Sequence, residues 1–171
     1  MLIYNEKLSV SPITTHLPLK DVHKNISKQK IINHVKLITQ FYKKNFKIIP
    51  KIAITGLNPH CESNYKSSEE KKEIIPAIKH LYKKRFRIEG PFAADTIFTN
   101  EVSKNFDVII GMYHDQVLTP IKTMFNFNAI NITLGLPFIR ISPDHGPNFK
   151  MVGKNLSNPE SLIKALNFLD K

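Results

Sequence analysis

Apolar and polar residues alternate along the chain in the pattern of an α/β fold, in which buried strands are separated by amphipathic helices. Two stretches have apolar residues at helical spacing and lysines on their other faces, which predicts helices over residues 27–46 and 67–84. A third helix is predicted over residues 159–169. Pro76 lies inside the second predicted helix, where we expect its ring to kink the backbone.

Short apolar runs between these helices predict the strands. The clearest run is FDVIIGM at residues 106–112, whose continuous apolar centre is typical of a central strand covered by helices on both faces. Further strands are predicted at residues 7–13, 51–55 and 129–134, the first of them with no element before it. The sequence therefore predicts a three-layer α/β unit that takes in residues 1–171.

Composition limits the class of protein. With 171 residues the chain is long enough for one domain with a real core but short for two. No apolar run approaches the roughly 18 residues that cross a bilayer, and the first residues lack the apolar region of a secretory signal. A lone cysteine, Cys61, fits a reducing compartment. We expect a cytoplasmic protein that does not contact membranes.

The net charge of +11 raises the alternative of a basic nucleic-acid-binding module. Of the 25 basic residues, however, 22 are lysine and only three are arginine, the residue that nucleic-acid sites favour for bidentate contacts. The lysines are spread along the predicted helices, and isoleucine and asparagine are enriched with them, as in proteins of AT-rich genomes. The charge therefore favours a solvated surface, and no nucleic-acid partner is expected.

The seven histidines fall into two groups. Three lie in or beside lysine-rich helical stretches and are expected to be solvated surface residues: His23, His34 and His80. Four lie in loops beside predicted strands: His16, His60, His114 and His145. Ligands of open α/β sheets bind outside the carboxyl ends of parallel strands, and three imidazoles delivered there can hold one divalent metal with positions left open for substrate. The spacings match no local metal motif, so the pattern alone leaves the metal site one possibility among several.

Six sequence blocks in order carry a resemblance to a known family: TTHLPLKDV, ITGLNPH, GPFAADTIF, GMYHDQVLTPIK, NITLGLPFIR and SPDHG. Together they resemble the signature blocks of the 4-hydroxythreonine-4-phosphate dehydrogenase family of pyridoxal phosphate biosynthesis. That family is about twice as long as this chain. The resemblance therefore implies the C-terminal half only, without the N-terminal lobe. It also implies one lobe of a bilobal fold like that of the isocitrate and isopropylmalate dehydrogenases.

The resemblance also implies a site. The family's metal ligands fall on three of the histidines that follow strands: His16, His60 and His114. Its substrate-binding positions fall on Lys122, Asn131 and Arg140. In the family the site lies in a cleft at a dimer interface, and the metal ligands are shared between subunits. The implied partners are a phosphorylated amino acid, a second copy of the chain, NAD, and one divalent metal (zinc, magnesium or cobalt).

The implied reaction is the metal-dependent, NAD-linked oxidation of the secondary alcohol of 4-phosphooxy-L-threonine, followed by loss of carbon dioxide from the β-keto acid. Lys122 and Arg140 would supply charge-assisted donors to the anionic groups of this substrate, and Asn131 both a donor and an acceptor. Asp95 and Asp115 are candidate proton carriers or partners that orient the histidines. A helix N-cap is the alternative for Asp95.

Two segments differ from the family pattern. No glycine occurs between His60 and Gly90, where the family is rich in glycine. DHGPNFKMVGKN resembles the loop that holds the adenosine end of NAD in related decarboxylating dehydrogenases, and Gly146 suits a close backbone approach there. The differing residues are Pro147, Asn148 and Lys150, the last a cation where an acceptor for the ribose is expected. A sister dehydrogenase of another phosphorylated four-carbon acid, or an inactive fragment, therefore remains an alternative.

Overall fold

One mixed sheet with helices on both faces organises the described residues, which are 1–61, 66–146 and 149–170 of this computed structural model. The strands are β1 (Leu2–Tyr4), β2 (Ser9–Pro12), β3 (Ile52–Thr55), β4 (Ile88–Phe92), β5 (Val108–Gly111), β6 (Ile130–Thr133) and β7 (Arg140–Pro143). The α-helices are α1 (Leu19–Val22), α2 (Lys28–Phe46), α3 (Ile75–Lys83), α4 (Ala94–Ile97), α5 (Asn100–Ser103), α6 (His114–Phe125) and α7 (Glu160–Leu169). In these ranges no helix is long and apolar enough to cross a bilayer.

The strand order is β4-β3-β5-β2-β1-β6-β7. The first four strands in this order run parallel to one another. β1 is antiparallel to both of its neighbours, and β7 is antiparallel to β6. The apolar strand β5 therefore lies between two parallel strands with all four of its residues buried, as its pattern predicted. The carboxyl ends of β3, β5 and β2 are neighbours at one edge of the sheet.

Two apolar cores lie on the opposite faces of the sheet. Successive residues of β5 face alternate sides, so Val108 and Ile110 join one core and Ile109 joins the other. The first core contains buried side chains of α2, α3 and α7, and the second contains side chains of α4 and α6. Three layers result, and the predicted α/β class is confirmed.

The long helix α2 forms on the face that its periodicity predicted. Ser27 is the N-cap, and its hydroxyl accepts a hydrogen bond from the backbone N–H of Lys30. The buried residues of the helix include those predicted to form its apolar face: Ile31, Val35, Ile38 and Tyr42. The helix ends at Lys47, which has a left-handed φ of 60°. Burial of this stripe explains why a helix so rich in lysine packs stably on the sheet.

The second predicted helix is divided in two. A π-helical turn covers Glu70–Ile74, and α3 follows it directly. Pro76 occupies the first turn of α3, where the missing N–H would have no partner within the helix. The proline therefore lies at the junction between the π-helical turn and α3, and the expected kink stays a prediction.

Two of the strands that the sequence pattern missed lie at the edges of the sheet. β4 and β7 are the two edge strands, and both contain proline (Pro91 and Pro143) together with exposed polar residues. Edge strands tolerate proline because one side of their backbone has no strand partner. β1 also precedes β2 and pairs with it, so the expectation that the first strand has nothing before it was wrong.

His34 is not the solvated residue that its lysine-rich surroundings suggested. Its Nε2 lies 2.6 Å from the hydroxyl oxygen of Ser11, so the ring is held between α2 and β2. Burial, together with the positive charges of the chain's amino terminus and of Lys30, lowers the pKa of His34 to about 4. A neutral imidazole is therefore part of the folded packing.

This pKa predicts an acid-dependent loss of stability. The unfolded chain takes up a proton on this ring near pH 6.5, whereas the folded chain takes it up only near pH 4. The neutral ring makes its full contribution to the free energy of unfolding above about pH 6.5. As the pH falls towards 4 this contribution is lost, and the free energy of unfolding decreases by about 3 kcal/mol at most. Denaturant unfolding from pH 7.5 to 4 should show this loss in the wild type but not in His34→Gln. His23→Gln, at an exposed histidine, should keep the wild-type dependence of the unfolding free energy on pH. If this free energy changes with pH in the same way in all three proteins, His34 is not the group responsible.

Candidate active site at the carboxyl edge of the sheet

Three histidines follow three adjacent parallel strands at one edge of the sheet. His16 follows β2, His60 follows β3, and His114 follows β5. Since β5 pairs with both of the other strands, the segment that carries His114 lies between the other two. All three histidines therefore lie at the edge that the sequence predicted, while their assignment as metal ligands stays a prediction.

His16 and His114 lie next to each other, with ring centroids 5.7 Å apart and planes inclined by 45°. A metal–nitrogen bond to imidazole is about 2.1 Å long, so two imidazoles on one tetrahedral ion have centroids roughly 5 Å apart. The pair is therefore close to the separation that a shared ion requires. His16 and His114 are therefore candidates for two ligands of the same ion.

His114 is the first residue of α6, not a loop residue as the sequence suggested. Its Nδ1 lies 2.6 Å from the carboxylate oxygen Oδ1 of Asp115. A carboxylate on Nδ1 fixes the proton there and leaves Nε2 with its lone pair for a ligand. The predicted role of Asp115 as a partner that orients a histidine agrees with this contact.

Backbone and side-chain hydrogen bonds hold the segments after β2 and β5 together. The backbone N–H of Ile13 donates to the carbonyl of Gly111 over 2.8 Å, which extends the pairing of the strands beyond their ends. The hydroxyl of Thr14 then donates to the carbonyl of Met112 over 2.7 Å. Each of these bonded residues lies two or three positions before a histidine of the adjacent pair, so the register of the two strands sets the distance between the rings.

His60 is exposed in a 3₁₀ turn, Pro59–Cys61. Its φ of 58° and the φ of 56° at Cys61 put two successive non-glycine residues in the left-handed region. Within the part of the chain that the structure describes, no group of three or more His, Cys, Asp or Glu side chains could hold a metal ion. One chain thus brings two of the three candidate imidazoles together and holds the third on a separate turn.

Sequence reasoning missed Gln116, which links the ends of β3 and β5. Its buried amide oxygen accepts hydrogen bonds from the backbone N–H of Met112 over 2.7 Å and from the hydroxyl of Thr55 over 2.9 Å. Its amide nitrogen donates to the carbonyl of Gly56 over 2.8 Å. The only signal for this role was the position of the glutamine two residues after His114.

The sequence also gave no indication that Glu70 is a buried residue of this region, and in the structure it is only 1% exposed. Its Oε1 accepts the backbone N–H groups of Leu57 and Asn58, both over 2.8 Å, and its Oε2 accepts the Asn58 side-chain amide over 2.9 Å. Burial alone would raise the pKa of Glu70, but the hydrogen bonds from Asn58 and Leu57 outweigh it and lower the pKa below its usual range. The carboxylate is therefore ionised beneath the turn that carries His60.

Asn131 has the feature expected of a residue that binds a ligand. Its side-chain oxygen is buried, and no hydrogen-bond partner for it is found among the described residues. Ile130 and Ile132 belong to the core opposite α6, so the pleat directs Asn131 to the α6 face. A buried acceptor without a donor is uncommon in a folded protein and is readily explained by a bound N–H group.

Arg140 lies on the same side of the sheet at the start of β7. It pairs in register with Thr133, and its guanidinium donates to the hydroxyl of Thr133 over 2.9 Å. Thr133 is two residues beyond Asn131 on β6, so both residues face the same way. The guanidinium is exposed and keeps further donors for an anion.

Lys122 forms its contacts with Asp144 of the same chain. Its ammonium donates to the backbone carbonyl of Asp144 and lies 3.2 Å from the Asp144 carboxylate. Burial raises the pKa of Asp144, and the positive charges of Lys122, His145 and His114 partly offset this effect. Asp144, which sequence reasoning did not single out, thus lies within electrostatic reach of both His114 and a candidate substrate residue.

Two further candidates, His145 and Asp95, lie in other surroundings. His145 packs its ring against the edge of Phe127, with centroids 6.3 Å apart. Asp95 is exposed in the first turn of α4, whose N-cap is Ala93, so the N-cap alternative for Asp95 was wrong. Neither residue contributes to a metal-binding group among the described residues.

The proposed NAD loop is described only in part. A side chain at Gly146 would meet no atom of the described residues within 4 Å. Lys150 lies in an exposed 3₁₀ turn, Phe149–Met151. The departures at Pro147 and Asn148, and residues 62–65 of the stretch without glycine, lie outside the described residues.

Comparison with known proteins gives a consistent match. Residues 1–169 match the family described as "Pyridoxal phosphate biosynthetic protein PdxA". A 4-hydroxythreonine-4-phosphate dehydrogenase of Sulfurihydrogenibium sp. is 48% identical over 168 residues, which cover 97% of this chain and 52% of the relative. The enzyme of that name from Aquifex aeolicus is 42% identical, over 99% of this chain and 53% of the relative. The chain spans about half the length of the curated relatives it matches.

Solved structures show the same likeness. A crystal structure of 4-hydroxythreonine-4-phosphate dehydrogenase from Klebsiella pneumoniae aligns with a TM-score of 0.83 and 32% identity, over 97% of this chain and 50% of that chain. This confirms the predicted fold, an α/β lobe of the isocitrate dehydrogenase type.

Proposed function

The chain belongs to the PdxA family of pyridoxal phosphate biosynthetic proteins, and on this premise we propose that it supplies the metal- and substrate-binding lobe of a cytoplasmic, NAD-linked 4-hydroxythreonine-4-phosphate dehydrogenase. The observation that carries the proposal is the pair of adjacent imidazoles at the carboxyl edge of the sheet, His16 and His114. Membership of the family supports the class of reaction, and the histidine pair supports the location of the site on this chain.

The donor set fits a divalent metal. His16 and His114 are separated as two ligands of one ion would be, and Asp115 holds His114 with one nitrogen free. His60, on a separate turn, would complete the set from a second copy of the chain, in keeping with the sharing of ligands between subunits that the resemblance implies. Imidazole ligands favour zinc or cobalt over magnesium, which prefers oxygen. Bound there, such an ion would polarise the alcohol oxygen of the substrate as a Lewis acid.

The substrate-binding residues complement the charges of 4-phosphooxy-L-threonine. The exposed guanidinium of Arg140 can bind a phosphate or carboxylate through two parallel hydrogen bonds. The unpartnered oxygen of Asn131 can accept a hydrogen bond from the substrate's ammonium group. Lys122 adds positive charge while Asp144 fixes its position. Together these side chains would orient the alcohol carbon towards the histidine edge.

NAD would accept the hydride, and decarboxylation of the resulting β-keto acid would complete the reaction. On this chain, Asp115 keeps the Nδ1 proton of His114 in place, so the ring stays in the tautomer that can bind a metal. The raised pKa of Asp144 and its nearness to Lys122 make it a further group that could hold a proton beside the substrate.

Calorimetry with the 171-residue chain tests this function. We expect 4-phosphooxy-L-threonine to bind more tightly with saturating zinc than without it, because the metal and Arg140 hold different ends of the molecule. NADH formation after NAD is added to the same solutions then reports turnover. Tighter binding of erythronate 4-phosphate, a four-carbon hydroxy acid, would favour the sister-dehydrogenase alternative. Absence of metal-dependent binding for either compound would contradict the proposal.

A further inference from the structure

The turn that carries His60 has a conformation that its own residues do not favour. Two successive L-residues, His60 and Cys61, have φ near +57°, where a side chain crowds the following carbonyl. Such conformations persist in folded proteins when surrounding contacts determine them. The contacts that hold this turn are therefore important for where the imidazole of His60 lies.

The loop formed by residues 56–61 folds back tightly on itself. A side chain at Gly56 would come within 2.6 Å of the sulfur of Cys61 and within 3.1 Å of the Oε1 of Glu70. No side chain fits there without displacement, so glycine at this position permits the close return of the chain. The carboxylate of Glu70 lies at the base of this return.

Two buried side chains hold the loop. Gln116 binds the carbonyl of Gly56 and so fixes where the loop leaves β3. Glu70 binds the next two backbone N–H groups, those of Leu57 and Asn58, and also the Asn58 side chain. Three donors from the loop converge on one carboxylate that is almost fully buried. The direction in which the loop continues to His60 is thus set mainly at Glu70.

The backbone around Glu70 is itself unusual. Glu70 begins the π-helical turn Glu70–Ile74, which precedes α3. π-helical turns are rare and occur frequently at functional sites. The neighbouring Glu69 also accepts a hydrogen bond from the Asn58 side chain, over 3.1 Å, but none from the loop backbone is found among the described residues. The two backbone contacts distinguish Glu70 from its neighbour.

We propose that Glu70 is a positioning residue for His60: its buried carboxylate holds the loop of residues 56–61 so that the imidazole is presented for metal binding. The inference rests on the proposed function, since it takes His60 to be a metal ligand. Glu70 does not touch the ion or the substrate, and it acts through its hydrogen bonds with the backbone of Leu57 and with the backbone and side chain of Asn58. Second-shell groups of this kind typically change metal affinity about 10- to 100-fold when they are replaced.

Titration with Co²⁺ tests this role in the 171-residue chain. In Glu70→Gln we expect about 10- to 100-fold weaker Co²⁺ binding and a changed visible absorption of the bound ion. Hydrogen exchange at the amides of Leu57 and Asn58 should become faster than in the wild type. Glu101→Gln, the same substitution at an exposed residue of α5, should leave all three measurements unchanged.

A purely structural role for Glu70 would give faster exchange, or a lower melting temperature, with the wild-type Co²⁺ affinity and spectrum. That result would overturn the proposal. If Glu70→Gln does not fold, Asn58→Ala takes its place, because it removes one donor to Glu70 and leaves the backbone contacts. It should weaken Co²⁺ binding several-fold, and unchanged binding would again overturn the proposal.

His60→Ala separates this inference from the function on which it rests. If His60→Ala binds Co²⁺ as tightly as the wild type, the assignment of His60 as a ligand fails. If His60→Ala weakens binding and Glu70→Gln does not, only the positioning role of Glu70 fails.

Discussion

Replacement of His114 by alanine is expected to abolish tight binding of a divalent cation. The substitution removes one of two imidazoles whose centroids lie 5.7 Å apart and leaves His16 without its neighbour. If a binding free energy of about 10–16 kcal/mol is shared among four ligands, each contributes about 2.5–4 kcal/mol, or on the order of a hundred- to a thousand-fold in affinity. Competition against a chelator of known affinity, with Zn²⁺ as the ion, measures the loss.

His23→Ala provides the matched control, since His23 is exposed and follows α1 on the surface. It should bind Zn²⁺ as the wild type does. Asp115→Asn should lie between the two, because it keeps the size of the side chain but weakens the partner that orients His114. Zn²⁺ affinity unchanged by His114→Ala would remove the basis for a metal site at this edge.

Replacement of Arg140 by alanine is expected to weaken binding of the phosphorylated substrate about 10- to 100-fold and to leave the metal affinity unchanged. Hydrogen bonds to charged groups contribute about 1.5–3 kcal/mol each, which corresponds to this range. Among the described residues the guanidinium donates a hydrogen bond to Thr133, and that contact is exposed, so we expect the fold to tolerate the change. Calorimetric titration of 4-phosphooxy-L-threonine into the zinc-loaded protein measures the effect.

The control for Arg140 is Arg87→Ala, which removes an exposed arginine just before β4, at the opposite edge of the sheet. It has the same effect on net charge, so a loss of binding common to both variants would indicate general electrostatic attraction. Arg140→Lys should recover only part of the affinity, because an ammonium cannot donate two parallel hydrogen bonds. Equal losses of substrate and metal affinity in Arg140→Ala would contradict a role confined to the substrate.

The interior of the fold followed from local patterns. α2 and the central strands were predicted because burial on one or both sides imposes a periodicity that a short window of sequence records. β4 and β7 were missed because edge strands accept proline, glycine and charge. α6 was missed because it begins with His114, Asp115 and Gln116 and contains Pro120, residues that locally indicate a loop.

Some residues of the candidate site could likewise be predicted from the sequence, and others could not. Strand-end reasoning placed His16, His60 and His114 at one edge, since it depends only on which segment follows which strand. Glu70 can be buried because it binds Asn58, 12 residues away, and Gln116 because it binds Gly56, 60 residues away. A local sequence pattern does not contain such distant partners. The contact of His34 with Ser11 on β2 is likewise a tertiary fact, and lysine-rich surroundings could not indicate it.

Anomalous diffraction from crystals grown with Co²⁺ is the sharpest test of the proposed metal site. We expect one strong peak about 2.1 Å from a ring nitrogen of His16 and of His114, with His60 of a second copy as the third protein ligand. A cobalt ion bound elsewhere, with the rings of His16 and His114 directed away from it, would contradict the proposal.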